Sequence, residues 1–111
     1  MNKKYLNTIV NVIIDRPLGS NHPKSKFKYP INYGYIPNTI SGDGEEIDAY
    51  VLGINKPLKE FTGKVIAIIH RTNDNDDKLL VVQTEENFTD EEIINLTKFQ
   101  EQFFNISIYR N

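Results

Sequence analysis

The feature that most constrains the fold is a series of short apolar runs, each cut off by turn-forming residues before it reaches the length of a helix. Leu6 to Ile14 is rich in β-branched residues with partial alternation and stops at Pro17-Leu18-Gly19-Ser20. Tyr33 to Ile36 ends before Pro37, and Ile47 to Leu52 follows the turn Ser41-Gly42-Asp43-Gly44. Lys64 to Ile69 and Leu79 to Gln83 are nearly continuous apolar runs, as expected of strands with buried faces. From Ser20 to Tyr29 the chain is polar and cationic, which predicts an exposed loop or short edge strand.

Only one segment carries the helical period. Thr89-Asp90-Glu91-Glu92 forms a capping box, and Ile93, Leu96, Phe99 and Phe103 recur at spacings of three to four, so one apolar stripe should face the sheet. Ile106 to Tyr109 alternates and predicts a closing strand. The expected fold is α+β: a small OB-like β-barrel of five or six strands with one C-terminal helix, residues 1–111 forming one domain.

With 111 residues and no cysteine, the chain needs no oxidising compartment and has no thiolate for zinc or nucleophilic catalysis. Lys3 and Lys4 precede apolar positions broken by Asn7, Asn11 and Asp15, which fits neither a signal peptide nor a membrane span, so a soluble, cytoplasmic protein is expected. The net charge of −2 is unevenly spread. Residues 1–41 hold six Lys and Arg against one acid, whereas residues 42–111 hold seven against fourteen. Two such halves could form the walls of a site for an anion held through metal ions, or two ordinary solvated faces.

Two acidic clusters carry the chemistry: Asp43, Glu45 and Asp48 around the first turn, and Asp74, Asp76 and Asp77 in the turn between the Val65 and Leu79 strands. Hard divalent cations want several oxygen ligands from short, rigid spacings, and crowded carboxylates are relieved by cations. Either turn alone is explained by turn geometry; together, with Lys78 following directly, they favour a metal and phosphate site. Tyr29, Tyr33 and Tyr35 fit cross-strand packing or phosphate-binding phenols, and the residues alone leave both readings open. His70 reads as a packing residue and His22 as a solvated loop residue.

The run Tyr29-Pro30-Ile31-Asn32-Tyr33-Gly34-Tyr35-Ile36 followed by Asp43-Gly44-Glu45-Glu46-Ile47-Asp48 resembles the signature of soluble family I inorganic pyrophosphatases. Asp76-Asp77-Lys78-Leu79 and Phe103-Phe104 resemble two further motifs of that family, and a short, N-terminally reduced member is expected. The resemblance implies Mg²⁺-dependent hydrolysis of pyrophosphate to two phosphates by direct attack of a metal-activated water, with Mn²⁺ as an alternative ion. It implies Asp43, Asp48 and Asp76 as metal ligands, with Asp74 as a further one. Glu45 falls where the family has the Asp that handles the attacking water, Tyr33 and Lys78 would bind phosphate, and Tyr29 would line the site. For the family's phosphate-binding Arg the candidate is Arg16, with Lys24 or Lys26 as replacements, and Tyr109-Arg110 offers a late version of a C-terminal Tyr-Lys pair. Relatives of this kind assemble into oligomers, so a homo-oligomer is expected.

Glu45 is the main departure: its carboxylate reaches one methylene farther than Asp, which implies a moved water site, a slower reaction or a larger phosphoanhydride substrate. A non-catalytic relative that binds metal and phosphate is the alternative. A lesser one is an OB-type nucleic-acid-binding module using Lys24, Lys26 and Lys28, against which the acidic second part argues.

Overall fold

The computed structural model describes residues 2–110. A 3-10 turn at Lys3–Tyr5 precedes β1 (Ile9–Arg16), β2 (Asn32–Ile36), β3 (Ile47–Val51), β4 (Glu60–Arg71) and β5 (Asp76–Val82); α1 (Asp90–Glu101) and β6 (Ile106–Tyr109) follow. The expected strands and helix are present, and the differences lie in their lengths. β4 begins at Glu60 rather than Lys64 and ends at Arg71 rather than Ile69, while β5 begins at Asp76 rather than Leu79. Both extensions are polar, because ladder pairing such as His70 with Asp77 and Arg71 with Asp76 uses the backbone and tolerates any side chain that finds a partner.

Five strands close into a barrel in the order β1-β2-β3-β5-β4, with β4 returning to β1. The pairs are antiparallel except β3 with β5. β4 is long enough to serve two partners on one edge: Glu60 to Lys64 pair with β1, and Ile68 to Arg71 pair with β6.

Val12, Ile47, Ala49, Val51, Val65, Ile68, Leu79 and Val81 belong to one core cluster. Their alternates Tyr50, Leu52, Ala67, Ile69, Leu80 and Val82 pack with Ile93 of α1 in a second. β5 is buried along its whole length, which is the reason its sequence reads as a continuous apolar run rather than an alternating one. The capping box forms as expected, Glu92 N donating to Thr89 Oγ1 and Thr89 N to Glu92 Oε1. Phe103 is a correction: α1 ends at Glu101, so this ring leaves the expected stripe and is 69% exposed. No helix among the described residues is long and apolar enough to cross a membrane.

Candidate functional site

Strand register assembles the site. Asp48 pairs with Tyr35 on one side and Lys78 on the other, and Lys78 pairs with Ile69, so the ends of β3, β4 and β5 lie abreast. Period-two alternation puts Asp48, Asp76, Lys78 and Arg71 on the helix-bearing face, one step from Tyr50, Leu80 and Ile69. The same alternation corrects the second acidic cluster. Asp76 and Asp77 are strand residues, both buried, and Asp77 turns to the opposite face. There it meets His70 Nδ1 at 2.6 Å and accepts from the backbone and side-chain nitrogens of Asn2, which also satisfies His70.

Lys78 Nζ lies 2.6 Å from Asp48 Oδ2 and 2.8 Å from Asp76 Oδ2, and Tyr33 Oη donates to the same Asp48 oxygen at 2.8 Å. Asp76 Oδ1 accepts from Ser41 Oγ at 2.7 Å and from the Asp77 N–H. Burial alone would raise the Asp76 carboxyl, but the Lys78 charge, the hydrogen bonds from Lys78 and Ser41 and the Arg71 charge outweigh it and hold Asp76 below the usual carboxylate value. Tyr33 moves the other way. Burial and the adjacent Asp48 charge push its phenol well above 10, which keeps it a hydrogen-bond donor.

The two acidic loops do lie side by side. A Cβ at Gly42 would come within 2.1 Å of the Asn75 carbonyl oxygen, so the 41–45 turn rests directly on the β4–β5 turn, and Ser41 fastens the contact through Asp76. Their carboxylates do not gather into one cage, however. Asp43 caps its own turn through the Glu45 N–H, Asp74 sits 3.8 Å from Arg71 Nη1, and Glu45 is exposed. Among the described residues no three carboxylate or imidazole groups converge as a metal site.

Arg71, Glu101 and Gln100 were not singled out from the sequence. Arg71 Nε and Nη2 donate to the two oxygens of Glu101 at 2.9 and 2.6 Å, and Tyr50 Oη donates to Glu101 at 2.6 Å. Gln100 bonds both Tyr50 and Tyr29. Burial opposes the charge of Arg71, but the paired Glu101 more than restores it and lifts its pKa above the usual guanidinium value. The available signal was Glu101 itself, a carboxylate in phase with Ile93 and Thr97 on the buried face of α1. Asn32 was also missed; fully buried, it ties the turn at Leu18 and the loop at Lys56 and Leu58 to β2.

A cavity of about 290 Å³ opens over this network, lined by Tyr33, Arg71, Lys78, Gln100, Phe104 and the loop residue Phe27. His22, a half-buried loop residue, also lines it; its Nδ1 accepts from the Lys24 and Ser25 N–H groups and holds the loop in shape. Tyr29 is 3% exposed and stacks on Tyr33, so the tyrosines both pack and face the site. A register shift in β1 at Asp15 turns Arg16 toward Tyr29, with Asp15 close enough to Asp48 to feel its charge. Asp15 is held above the usual carboxylate value by loss of solvent, with Arg16 opposing and Asp48 adding to the shift. Lys24 and Lys26 ride exposed on the cavity loop. Tyr109 and Arg110 are elsewhere: Tyr109 packs with the barrel-interior cluster near His70, and Arg110 pairs with Asp90 and Asn87.

The sequence model described as Inorganic pyrophosphatase matches residues 10–109. The chain belongs to the inorganic pyrophosphatase family. An inorganic pyrophosphatase of Xylella fastidiosa is 33% identical over 85 residues, covering 70% of this chain and 43% of that protein. One of Xanthomonas campestris is 34% identical over the same shares. The chain thus spans less than half the length of these pyrophosphatase relatives. In fold it is similar to the inorganic pyrophosphatase of Ehrlichia chaffeensis, with a TM-score of 0.73 at 19% identity over 95% of this chain and 87% of that one. The structure from Neisseria gonorrhoeae gives 0.63 at 24% identity, over 81% and 70%. Both likenesses show that the OB-like barrel of this chain is the fold of these pyrophosphatases.

Proposed function

We propose that this pyrophosphatase-family chain hydrolyses pyrophosphate, or a related phosphoanhydride, to phosphate in the cytoplasm, acting as one domain. The observation that carries the reading is Lys78 Nζ bridging Asp48 and Asp76 beside the Tyr33 phenol, at the base of a cavity that also receives Arg71. Pyrophosphate concentrates negative charge on close-set oxygens, so a site for it needs cations and neutral donors in one small space. Lys78 has three N–H donors and spends two on carboxylates; the third is available to a phosphoryl oxygen. Tyr33, kept protonated by its surroundings, has one O–H, which Asp48 Oδ2 accepts and which would turn to a phosphoryl oxygen once Asp48 takes a metal; Arg16 and Tyr29 reach the same side from β1 and the following loop.

The donor set fits a magnesium ion shared with substrate, not one enclosed by four aspartates. Magnesium keeps several waters and is commonly held by one or two carboxylates plus substrate phosphates. Asp48 suits that arrangement: its side chain is 33% exposed, and the protein bonds recorded among the described residues fall on Oδ2, leaving Oδ1. Asp43, Asp74 and Asp76 would be the further ligands, each of which already meets a protein partner: the Glu45 N–H for Asp43, Arg71 for Asp74, and Lys78 and Ser41 for Asp76. When bound, Mg²⁺ or Mn²⁺ supplies neutralisation of phosphoryl charge and acidification of the attacking water.

In the reaction, water oxygen bonds to one phosphorus, the bridging P–O bond breaks, and Glu45 steers or accepts the water's proton. Lys78 and Tyr33 hold the charge that develops on the phosphoryl oxygens. A homo-oligomer, built where β6 leaves a free sheet edge, belongs to the same proposal. Phosphate release should be measured across pyrophosphate, tripolyphosphate and nucleotides, with and without Mg²⁺. Release from pyrophosphate that needs Mg²⁺ and disappears in a folded Asp48→Asn protein is expected; no release from any of these by the folded wild type overturns the proposal.

A further inference from the structure

Arg71 is a cation of the network that the proposed reaction leaves without a role. It stands at the end of β4, 7% exposed, with its guanidinium carbon 3.7 Å from the Phe104 ring centroid. Two of its three nitrogens are committed to Glu101 in a two-point pair. Nη1 has no hydrogen bond among the described residues, and its nearest carboxylates, Asp74 and Asp76, are 3.8 and 3.9 Å away, beyond hydrogen-bond reach. A guanidinium has five donors and cannot shed its charge, so an interior Nη1 without a close acceptor is a donor held ready for one. The cavity supplies the direction, since Arg71 lines it together with Lys78 and Tyr33.

We propose that Arg71 is a substrate-binding residue whose Nη1 donates to a phosphoryl oxygen at the base of the cavity, with Glu101 as the positioning residue that aims it. Glu101 holds Nε and Nη2, Tyr50 donates to Glu101, and Gln100 donates to Tyr50, so the guanidinium plane is fixed from behind by α1 and β3. Phe104 stacks against it and limits its rotation. The phosphoanhydride therefore meets two basic side chains, Arg71 and Lys78, before any divalent ion is counted, and part of its affinity is independent of metal. This inference rests on the cavity taking a phosphoanhydride, as proposed above, but it concerns binding and is tested without turnover.

The probe is imidodiphosphate, a pyrophosphate with NH in the bridging position, titrated calorimetrically in the absence and presence of Mg²⁺. Removing Arg71 alone would strand the buried Glu101 carboxylate, so the informative variant is the pair Arg71→Met with Glu101→Met, which removes both charges together. We expect wild-type protein to bind without Mg²⁺, the double variant to bind at least about tenfold more weakly in a metal-free buffer, and Glu101→Gln to lose a few-fold by loosening the same guanidinium. Should the double variant fail to fold, wild-type protein decides the matter. It has three arginines, Arg16, Arg71 and Arg110, whose guanidinium ¹⁵N signals can be assigned through Arg16→Lys and Arg110→Lys. Imidodiphosphate should shift the Arg71 Nη signal. Wild-type affinity in the folded double variant, no metal-free binding by wild type, or an unmoved Arg71 signal at saturation would each overturn the inference. Arg71-dependent binding by a protein that releases no phosphate would uphold it while overturning hydrolysis.

Discussion

Lys78 holds two carboxylates apart from their mutual repulsion while itself being 3% exposed. Removing its charge leaves the buried Asp76 and the one-third exposed Asp48 without the cation between them, and since solvent reaches Asp48 the cost is somewhat less than the ~3 kcal/mol of a fully buried pair broken from one side. Lys78→Met should therefore lower the melting temperature markedly and cut phosphate release about a hundredfold, the loss expected for one charge-stabilising donor. Thermal melts followed by activity on the folded fraction separate the two effects. Lys78 could be singled out in the sequence because Lys follows Asp-Asp directly, and the fold sets it between Asp48 and Asp76. That Asp77 turns away was not, because it depends on where the strand begins: read as a turn, 74–77 has no alternation, whereas a strand from Asp76 sends neighbours to opposite faces.

Between elements, the contact of greatest functional weight joins the 41–45 turn to the β4–β5 turn. Gly42 sits there because a Cβ would meet the Asn75 carbonyl oxygen at 2.1 Å, and both sides of that contact are backbone. Gly42→Ala should push the turns apart, costing about 1–3 kcal/mol as overpacking. It should also weaken imidodiphosphate binding in the presence of Mg²⁺, since Asp43 and Asp76 ride on opposite sides of the contact. Denaturant unfolding and calorimetric binding measure the two losses; an alanine variant equal to wild type in both would remove the turns' packing from the account. The strands themselves were recoverable from apolar runs and turn residues, and α1 from its capping box. Their extents were not, because β4 and β5 are prolonged by polar pairs that become strand only once each has the other.

Over the whole molecule, the ionisable groups buried between barrel and helix set the limits of stability. Tyr33 and Tyr50 have phenols raised well above 10.0, chiefly by burial and then by the charges of Asp48 and Glu101 respectively. The unfolded chain ionises these groups first, so their contribution is complete below pH 10 and is lost as pH rises further. Asp76 is lowered from 3.8, so the stability it adds is present above that value and falls away as pH drops below it. Asp15, raised by burial, works in the opposite sense just above 3.8, so melting temperature against pH should level off above both carboxyls and fall again past 10, with Tyr50→Phe reducing the alkaline loss.

The sequence by itself determined the barrel-and-helix class, the family and several residues of the candidate site: short apolar runs, a capping box and a contiguous motif are all local, and local patterns survive without a fold. Tertiary structure alone decided which charges meet. Arg71 and Glu101 are thirty residues apart, and Asp48 and Lys78 likewise, and only barrel closure with α1 laid across it brings those pairs within 3 Å. Carboxylates that looked like a ligand set in the sequence are in the fold divided among a lysine, an arginine, a histidine and a turn, because the register and the turns put a different polar partner beside each.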